Sequence, residues 1–213
     1  MLSFLKKTQF FYSEKDIDLL ENYITSKIGV YHEVIHEIAS PDIHVDIIPV
    51  PPSVGQEYYT LVTMGMGAYK MKVPPDYAKS KYNRAELAIR LPKDWDIQSD
   101  EEKWFWPIHV LKVLARMPLA EKSWLGYGHS IDFGSPFSNN TNFCGVLLDF
   151  LFNDDTIPLR LTNGDSVLMY NVIPIYKEEM EFKTANSADA LFDRLGNAEK
   201  SAPINIQREN HCI

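Results

Sequence analysis

The chain has 213 residues, of which 45% are apolar, and its formal net charge is −8. This length and composition predict a folded globular protein with one large domain rather than a disordered chain. An acidic chain is poorly suited to nucleic acid or to an anionic membrane surface, because both attract Lys and Arg, and we expect neither partner.

Helix and strand signals alternate over the first fifty residues. Ser13 has the spacing of a helix N-cap, apolar residues recur behind it at helical intervals, and Gly29 is suited to end that helix. The segments 30–38 and 44–50 are rich in β-branched residues and are predicted strands. Pro49 has no N–H to donate to a sheet ladder, so we expect the second strand to lie at an edge or to leave the sheet.

The next two predicted strands are separated by a turn that glycine interrupts. Tyr58–Met64 is rich in strand-forming residues, and Gly65 and Gly67 mark a bulge or a change of direction behind it. The segment 84–91 alternates cleanly along its length. This alternation predicts a strand with one buried face and one solvated face, and Glu86 lies on the solvated face.

The second half of the chain carries one strongly apolar helix and several strands. The predicted elements are a buried helix at 107–117, a long polar loop at 126–142, an apolar strand at 143–152, a β-hairpin at 159–175 and a last helix at 188–195. Trp104 and Trp106 precede the buried helix and are expected to anchor it. Asn163 and Gly164 predict a two-residue turn in the hairpin, since both tolerate positive φ.

Together these elements predict an α/β (α+β) fold, in which a mixed, largely antiparallel β-sheet is covered by helices. No internal repeat or low-complexity linker interrupts the pattern, which favours a single domain over residues 1–195. The tail 196–213 is polar and is predicted to be disordered.

The cysteines and the apolar segments indicate the cellular compartment of the protein and whether it holds a metal or a cofactor. Cys144 and Cys212 are far apart, so they form neither a disulfide framework nor a paired-thiol zinc signature. The N-terminal residues contain no apolar run long enough for a signal peptide, and nothing approaches a transmembrane span. We therefore expect a cytoplasmic protein with no metal and no cofactor.

Two pairs of polar residues are candidates for chemistry. His44 and Asp46 are two apart on a predicted strand and share a face, while His129 and Asp132 flank Ser130 in the long loop. A fold that joined the pairs would give a hydrolytic or metal-dependent site. The loop has no Gly-x-Ser-x-Gly elbow, however, and the alternative is that these side chains satisfy a strand end and a loop backbone.

A second group of candidates is rich in Tyr and Met. Tyr59, Met64, Met66 and Tyr69 cluster around the predicted turn, and both residue types are enriched at protein interfaces. One face of the strand must be core, so the other face is either a binding surface or is covered by helices.

An acidic run precedes the buried helix and includes Asp100, Glu101 and Glu102. Acidic residues at this position suit the positive end of the helix dipole. Such a run is commonly a solvated loop. It is also the surface feature best suited to contact a basic protein partner.

Six motifs, taken in order, resemble the suppressor of fused (SUFU) family. They are HVDI at 44–47, YTLVTMGM at 59–66, AELAIRLP at 85–92, WP at 106–107, GHSI at 128–131 and PIYKEE at 174–179. Their order and spacing are more specific than any single motif. The length of the chain resembles that of the single-domain bacterial type, whereas the animal member has a second, C-terminal domain.

The resemblance implies an α/β domain that binds protein, and the lack of a nucleophile, metal or phosphate motif in the sequence adds that the binding is non-catalytic. Bacterial members resemble immunity proteins, which bind and neutralise a toxin domain, so a protein partner of this kind is the first hypothesis. The alternatives are a small hydrolase or metal-dependent enzyme that uses His44, Asp46, His129 and Asp132, and a regulatory scaffold with an endogenous protein partner.

Overall fold

The computed structural model describes residues 9–40, 42–79, 82–152 and 158–213. The N-terminal segment 1–8, in which the sequence predicts no signal peptide, lies outside these residues. None of the helices in the described ranges combines the length and the apolar character that crossing a membrane requires.

Helices and strands alternate along the chain. The helices are α1 (Glu14–Lys27), α2 (Pro75–Lys79), α3 (Glu102–Ala120), α4 (Lys177–Ala185) and α5 (Ala188–Ser201). The strands are β1 (Asp46–Val50), β2 (Tyr58–Met64), β3 (Ala85–Pro92), β4 (Ser130–Asp132), β5 (Gly145–Phe150), β6 (Leu159–Arg160) and β7 (Ser166–Ile175). The Ser13 N-cap is confirmed, because its hydroxyl accepts the Asp16 N–H at 3.2 Å.

Seven strands of the described chain form one sheet in the order β1-β2-β3-β7-β5-β4, with β6 beside β7. The β3–β7 pair is parallel, and the other pairs are antiparallel. The predicted fold class, a mixed and largely antiparallel sheet covered by helices, is confirmed. β1 is an edge strand, as Pro49 predicts.

Helices cover both faces of the sheet. On one face, α3 packs through apolar residues such as Leu111 and Leu114 onto the side chains of Leu61 and Leu87. On the other face, α1 packs over β1 to β3 and α5 packs over β5 and β7. The sheet is therefore the middle of three layers.

The segment 30–38 is not a strand. It meets β1 through one isolated bridge between Ile35 and Ile47, whose backbone hydrogen bonds measure 2.8 and 3.1 Å. The ladder does not continue because Pro49 offers no N–H on one side. On the other side, the Glu37 N–H donates to a side-chain carboxylate of β1 at 2.8 Å instead of to a carbonyl.

Both faces of β3 are buried, so the predicted solvated face is wrong. Glu86 and Ala88, on the side expected to face water, have no exposed surface. They are buried because α1 lies over this side of the sheet and contributes Leu20 and Ile24 to the same cluster as Ala88.

Two boundaries differ from the predicted ones. α3 begins at Glu102, so Trp104 and Trp106 lie inside the helix and Pro107 is an interior residue. An interior proline destabilises a helix because it removes a backbone hydrogen bond. The burial of Trp106, which is 2% exposed, offsets this loss. The predicted loop 126–142 also contains the short strand β4, which pairs with β5.

The hairpin turn is longer than the two residues predicted. Arg160 pairs with Ser166, and the Gly164 N–H donates to the Leu161 carbonyl at 2.9 Å. Thr162 and Asn163 therefore occupy the centre of the turn. The Asn-Gly pair is displaced by one position from the place that a two-residue turn requires.

The segment 196–213 is folded, although its polarity predicts disorder. α5 bends at Gly196 and continues to Ser201. Beyond it, Ile204 and Arg208 are each 8% exposed, and the Ile204 N–H donates to the Arg90 carbonyl at 2.9 Å. Ile204 joins the main apolar core. The buried contacts of Ile204 and Arg208 hold the tail in place although most of its residues are polar.

Candidate functional site

A cleft of about 500 Å³ lies between the first turns of α3 and the loop after β4. It combines aromatic and acidic residues, and we call it the acidic cleft. The residues that line it include Asp100, Glu102, Phe105, Trp106, His109, Phe133 and Phe137. Two separate stretches of chain therefore build it, and the predicted acidic run supplies one side.

Packed rings form the floor of the acidic cleft. Trp106 and Phe137 stack with their centroids 5.0 Å apart, and Phe133 meets Phe137 edge-on at 5.1 Å. Phe105 is 37% exposed, which is high for a large apolar side chain at a helix start. This floor offers a partner a rigid apolar surface.

The three predicted acidic residues differ in what they contact. Glu101 pairs with Lys103 at 2.9 Å. Asp100 and Glu102 line the cleft, are exposed, and have no ion-pair or hydrogen-bond partner within the described ranges of the chain. Two carboxylates are thus available to a cation that enters the cleft.

The side chains of His44 and Asp46 are in contact, and His36 also contacts Asp46. His44 Nε2 lies 3.0 Å from one oxygen of the Asp46 carboxylate, and His36 Nδ1 lies 3.0 Å from the other. The Asp46 side chain is 7% exposed, whereas that of His36 is 73% exposed. This arrangement satisfies a buried carboxylate beside the sheet edge.

Ser40 completes a chain of polar contacts beside His44 that has the order of a catalytic triad. Ser40 Oγ lies 2.7 Å from His44 Nδ1, but it donates its proton to the Glu37 carboxylate at 2.7 Å. A hydroxyl has one proton, so a Ser40 hydroxyl that donates to Glu37 has no proton for His44 Nδ1 to accept. Glu37 in turn pairs with Arg116 of α3, so this network ties the segment before β1 to the helix layer.

His129 and Asp132 do not join that cluster. They lie beside and within β4, at the opposite edge of the sheet from β1, roughly 24 Å away for strands spaced about 4.8 Å apart. The ring of His129 packs on Trp124 at 4.3 Å, where burial lowers its pKa, and Asp132 accepts the Gly134 N–H at 2.7 Å. The hypothetical four-residue enzyme site is therefore not assembled.

The Tyr and Met candidates lie mainly in the core. Met64 is 9% exposed, Met66 1% and Tyr69 8%, while Tyr59 is partly exposed and packs against the same core. Helices and the preceding segment cover both faces of β2, so these residues do not form the exposed surface that the sequence suggested. In the described part of the chain, no three His, Cys, Asp or Glu residues are grouped to hold a metal ion.

Comparison with known families identifies the family of this chain. The model of the family described as suppressor of fused protein (SUFU) matches residues 41–209. The chain belongs to the suppressor of fused family. The SUFU match includes the acidic cleft and extends into the folded tail.

A SUFU relative by sequence is an uncharacterised protein of Ureaplasma parvum serovar 3. It is 24% identical over 202 residues, which cover 93% of this chain and 96% of that protein. The alignment therefore extends over nearly the whole of both proteins.

Solved SUFU structures share the fold. A homologue from Neisseria gonorrhoeae FA 1090 has a TM-score of 0.64 at 15% identity, and the match covers 94% of this chain and 96% of that one. A chain of the Sufu–Fu complex has a TM-score of 0.62 at 13% identity and coverages of 91% and 88%. Drosophila Suppressor of Fused has a TM-score of 0.57 at 12% identity, and the match covers 92% of this chain and 50% of that protein.

The SUFU motif at 59–66 and the motif at 85–92 meet at a buried carboxylate. Glu86 accepts hydrogen bonds from the Tyr12 hydroxyl at 2.7 Å and the Thr63 hydroxyl at 2.5 Å. It also accepts the N–H groups of Gly65 at 3.0 Å and Gly67 at 2.9 Å. Burial raises the pKa of Glu86, and these hydrogen bonds oppose that shift. The motif thus fixes the turn after β2.

Close approach explains the two glycines of this turn. A Cβ at Gly65 would lie 1.8 Å from the His44 carbonyl oxygen, and one at Gly67 would lie 2.1 Å from the Tyr12 hydroxyl. Gly65 also has φ +138°, a conformation that side chains rarely adopt. The two glycines therefore allow the close approach of the His44 carbonyl and the Tyr12 hydroxyl to the turn.

We expect Gly65→Ala to lower the free energy of unfolding by about 3 kcal/mol or more, because strain in φ adds to the clash with the His44 carbonyl. Gly55→Ala is a matched control, since Gly55 has φ +87° but no atom within 4 Å of the added Cβ. Gly55→Ala should lower the free energy of unfolding by about 1 kcal/mol. Urea unfolding of both variants measures the difference, and equal losses would contradict the role of the close contact.

A buried ion pair anchors the tail of this SUFU domain. Both Nη atoms of Arg208 contact the Glu179 carboxylate at 2.5 Å, and the two side chains are 5% and 0% exposed. The guanidinium also lies over the rings of Phe143 and Tyr176, at 5.0 and 4.8 Å. Glu179 occupies the N3 position of α4, where a glutamate completes a capping box. The residues around Arg208 in the sequence do not indicate that Glu179 is its partner.

Proposed function

We propose that this SUFU domain is a non-catalytic protein-binding module and that its partner is a toxin domain, which it neutralises as an immunity protein. One structure with this fold is of the Sufu–Fu complex, in which the family member is found with another protein. Binding without catalysis also agrees with the arrangement at His44, where the Ser40 hydroxyl donates a hydrogen bond to the Glu37 carboxylate.

The acidic cleft is the observation that carries this proposal. It presents exposed aromatic surface beside two carboxylates, Asp100 and Glu102, that have no partner in the described structure. Interfaces commonly combine a central aromatic cluster with a charged rim. The net charge of −8 would also steer a basic partner toward the chain.

The partner's basic surface would lie over the cleft, with its apolar residues on the Phe105 side of the floor. Asp100 and Glu102 lie at the N-terminus of α3, where the helix dipole favours their negative charge in the free protein. The two negative charges are therefore stabilised in the free protein without a cation from the partner.

The functional test is co-expression with a toxin-like protein from a neighbouring gene in the source genome. We expect the chain to restore growth of cells that express the toxin and to co-purify with it. The double variant Asp100→Asn/Glu102→Gln should lose protection, whereas Glu101→Gln should keep it, because Glu101 pairs with Lys103 and does not line the cleft.

Three outcomes would overturn parts of this proposal. If the chain neither co-purifies with the toxin nor protects the cells, the immunity role is wrong. Capture of a cellular protein without any effect on toxicity would instead support a regulatory scaffold with an endogenous partner. Protection that the double variant retains in full would place the binding surface outside the acidic cleft.

A further inference from the structure

We infer that the acidic cleft binds the guanidinium group of an arginine side chain, and that this preference for arginine over lysine is how it selects its partner. The inference rests on the proposed function, because it names the chemistry that the partner would present at the same site. It follows from the residues of the cleft and from another site in the same chain.

The carboxylates give the first argument. Asp100 and Glu102 lie on the same cleft and have no cation partner in the described ranges. A guanidinium has five N–H donors in a planar array and bonds carboxylates in a bidentate way, whereas an ammonium acts as a point charge. Two unpaired carboxylates around one cleft therefore suit arginine better than lysine.

The aromatic floor gives the second argument. Phe105 is 37% exposed, and Phe133 is partly exposed on the facing loop. A guanidinium is weakly hydrated and stacks on ring faces, so it loses less than an ammonium when it leaves water for such a cleft. A volume of about 500 Å³ is within the range of ligand sites and leaves room for backbone beside the side chain.

The tail of this chain contains an arginine that a carboxylate and two aromatic rings of the same chain already bind. Arg208 is bonded by both oxygens of Glu179 and lies over the rings of Phe143 and Tyr176. The acidic cleft has the same two components, carboxylates and aromatic rings, and no Lys or Arg is among its described lining residues. The Arg208 site thus shows, within this chain, how a carboxylate and aromatic rings together hold an arginine side chain.

A buried donor gives further support. The indole N–H of Trp106, a residue that lines the cleft and is 2% exposed, has no hydrogen-bond acceptor among the residues described. An unpaired buried donor costs free energy. The backbone carbonyl beside a bound arginine side chain would supply the acceptor that this donor lacks.

The test uses three small probes at constant ionic strength: the N-acetyl amides of arginine, lysine and citrulline. Citrulline has nearly the shape of arginine but no charge. Binding is followed by NMR through the indole N–H signal of Trp106, assigned with a Trp106→Phe variant. We expect arginine to bind in the millimolar range, at least about threefold more tightly than lysine, and citrulline to cause no saturable shift.

Variants locate the binding. Asp100→Asn/Glu102→Gln should abolish the saturable shift with the arginine probe, and Glu101→Gln should leave it unchanged. Equal affinity for arginine and lysine, or arginine binding that survives the double variant, would overturn the inference.

The inference and the proposed function fail in different ways. If the double variant loses the protein partner but wild type does not bind the arginine probe, the inference is wrong and the protein-binding function stands. If the probe binds as expected but no toxin partner is neutralised, the arginine site stands and the immunity role is wrong.

Discussion

Replacing Arg208 by methionine is expected to lower the free energy of unfolding by about 4 kcal/mol. The variant leaves Glu179 fully buried without its cation, and a buried carboxylate without a partner is strongly unfavourable. It also removes the hydrogen bonds from the guanidinium to the carbonyls of Pro174 at 3.1 Å and Glu209 at 2.9 Å. Urea unfolding at pH 7 measures the loss.

Two further variants show whether burial is the cause. Lys177→Met removes a cation from the exposed pair with Glu181, at 3.7 Å on the same helix, and should cost less than about 0.5 kcal/mol. Adding Glu179→Gln to Arg208→Met removes the stranded charge and should regain about 2 kcal/mol. A loss for Arg208→Met as small as that for Lys177→Met would contradict a structural role for the tail.

Replacing Glu86 by alanine is expected to lower the free energy of unfolding by about 4 kcal/mol, because four donors lose their acceptor at once. Glu86→Gln should be much milder at pH 7. The glutamine oxygen can keep the bonds from Tyr12, Gly65 and Gly67, which all go to one carboxylate oxygen, and its NH₂ group can donate to Thr63. The contrast separates the loss of an acceptor from the loss of a charge.

The pH dependence of the same variant has a definite sign. Burial raises the pKa of Glu86 in the folded protein, so the folded state holds this proton more tightly than the unfolded state. Its contribution to stability is full below the unfolded pKa of about 4.3 and is lost as pH rises through the folded pKa. Wild type should therefore lose stability relative to Glu86→Gln from about pH 4.5 upward, and a difference that is constant with pH would contradict this assignment.

Local patterns in the sequence predicted the elements of this fold well where neighbouring residues decide the structure. The Ser13 cap depends on a hydrogen bond to Asp16, three residues away, and the change of direction after Tyr58–Met64 includes Gly65 at a φ that favours glycine. The segment 30–38 shows the opposite case. Its β-branched residues favour a strand, but pairing depends on the facing Pro49, which cannot donate.

Long-range packing accounts for the features that the sequence did not reveal. Glu86 lies in an alternating strand next to arginines, and only the covering by α1 makes its face buried. Ala88 on the same face, together with two glycine N–H groups that needed an acceptor, was a signal of this burial. Glu179 and Arg208 are 29 residues apart, and their pairing depends on where the tail folds.

The candidate site was predicted in part. The acidic run was predicted to be a surface for a basic partner, and the structure divides it into two carboxylates on a cleft and a third, Glu101, paired with Lys103. Phe133 and Phe137, which complete the floor, come from a loop far along the chain. The His44 and Asp46 pair was correctly expected to share a face, but its additional contacts with His36 and Ser40 depend on the irregular segment before β1.

The affinity of the captured protein partner, measured by calorimetry at low and high salt, tests most directly the claim that the acidic cleft is the binding site. We expect Asp100→Asn/Glu102→Gln to weaken binding at low salt by about 10- to 100-fold and to reduce its salt dependence, because it removes two charge contacts. Glu101→Gln should stay within about twofold of wild type. Unchanged affinity in the double variant, with a salt dependence equal to that of wild type, would show that the partner binds elsewhere.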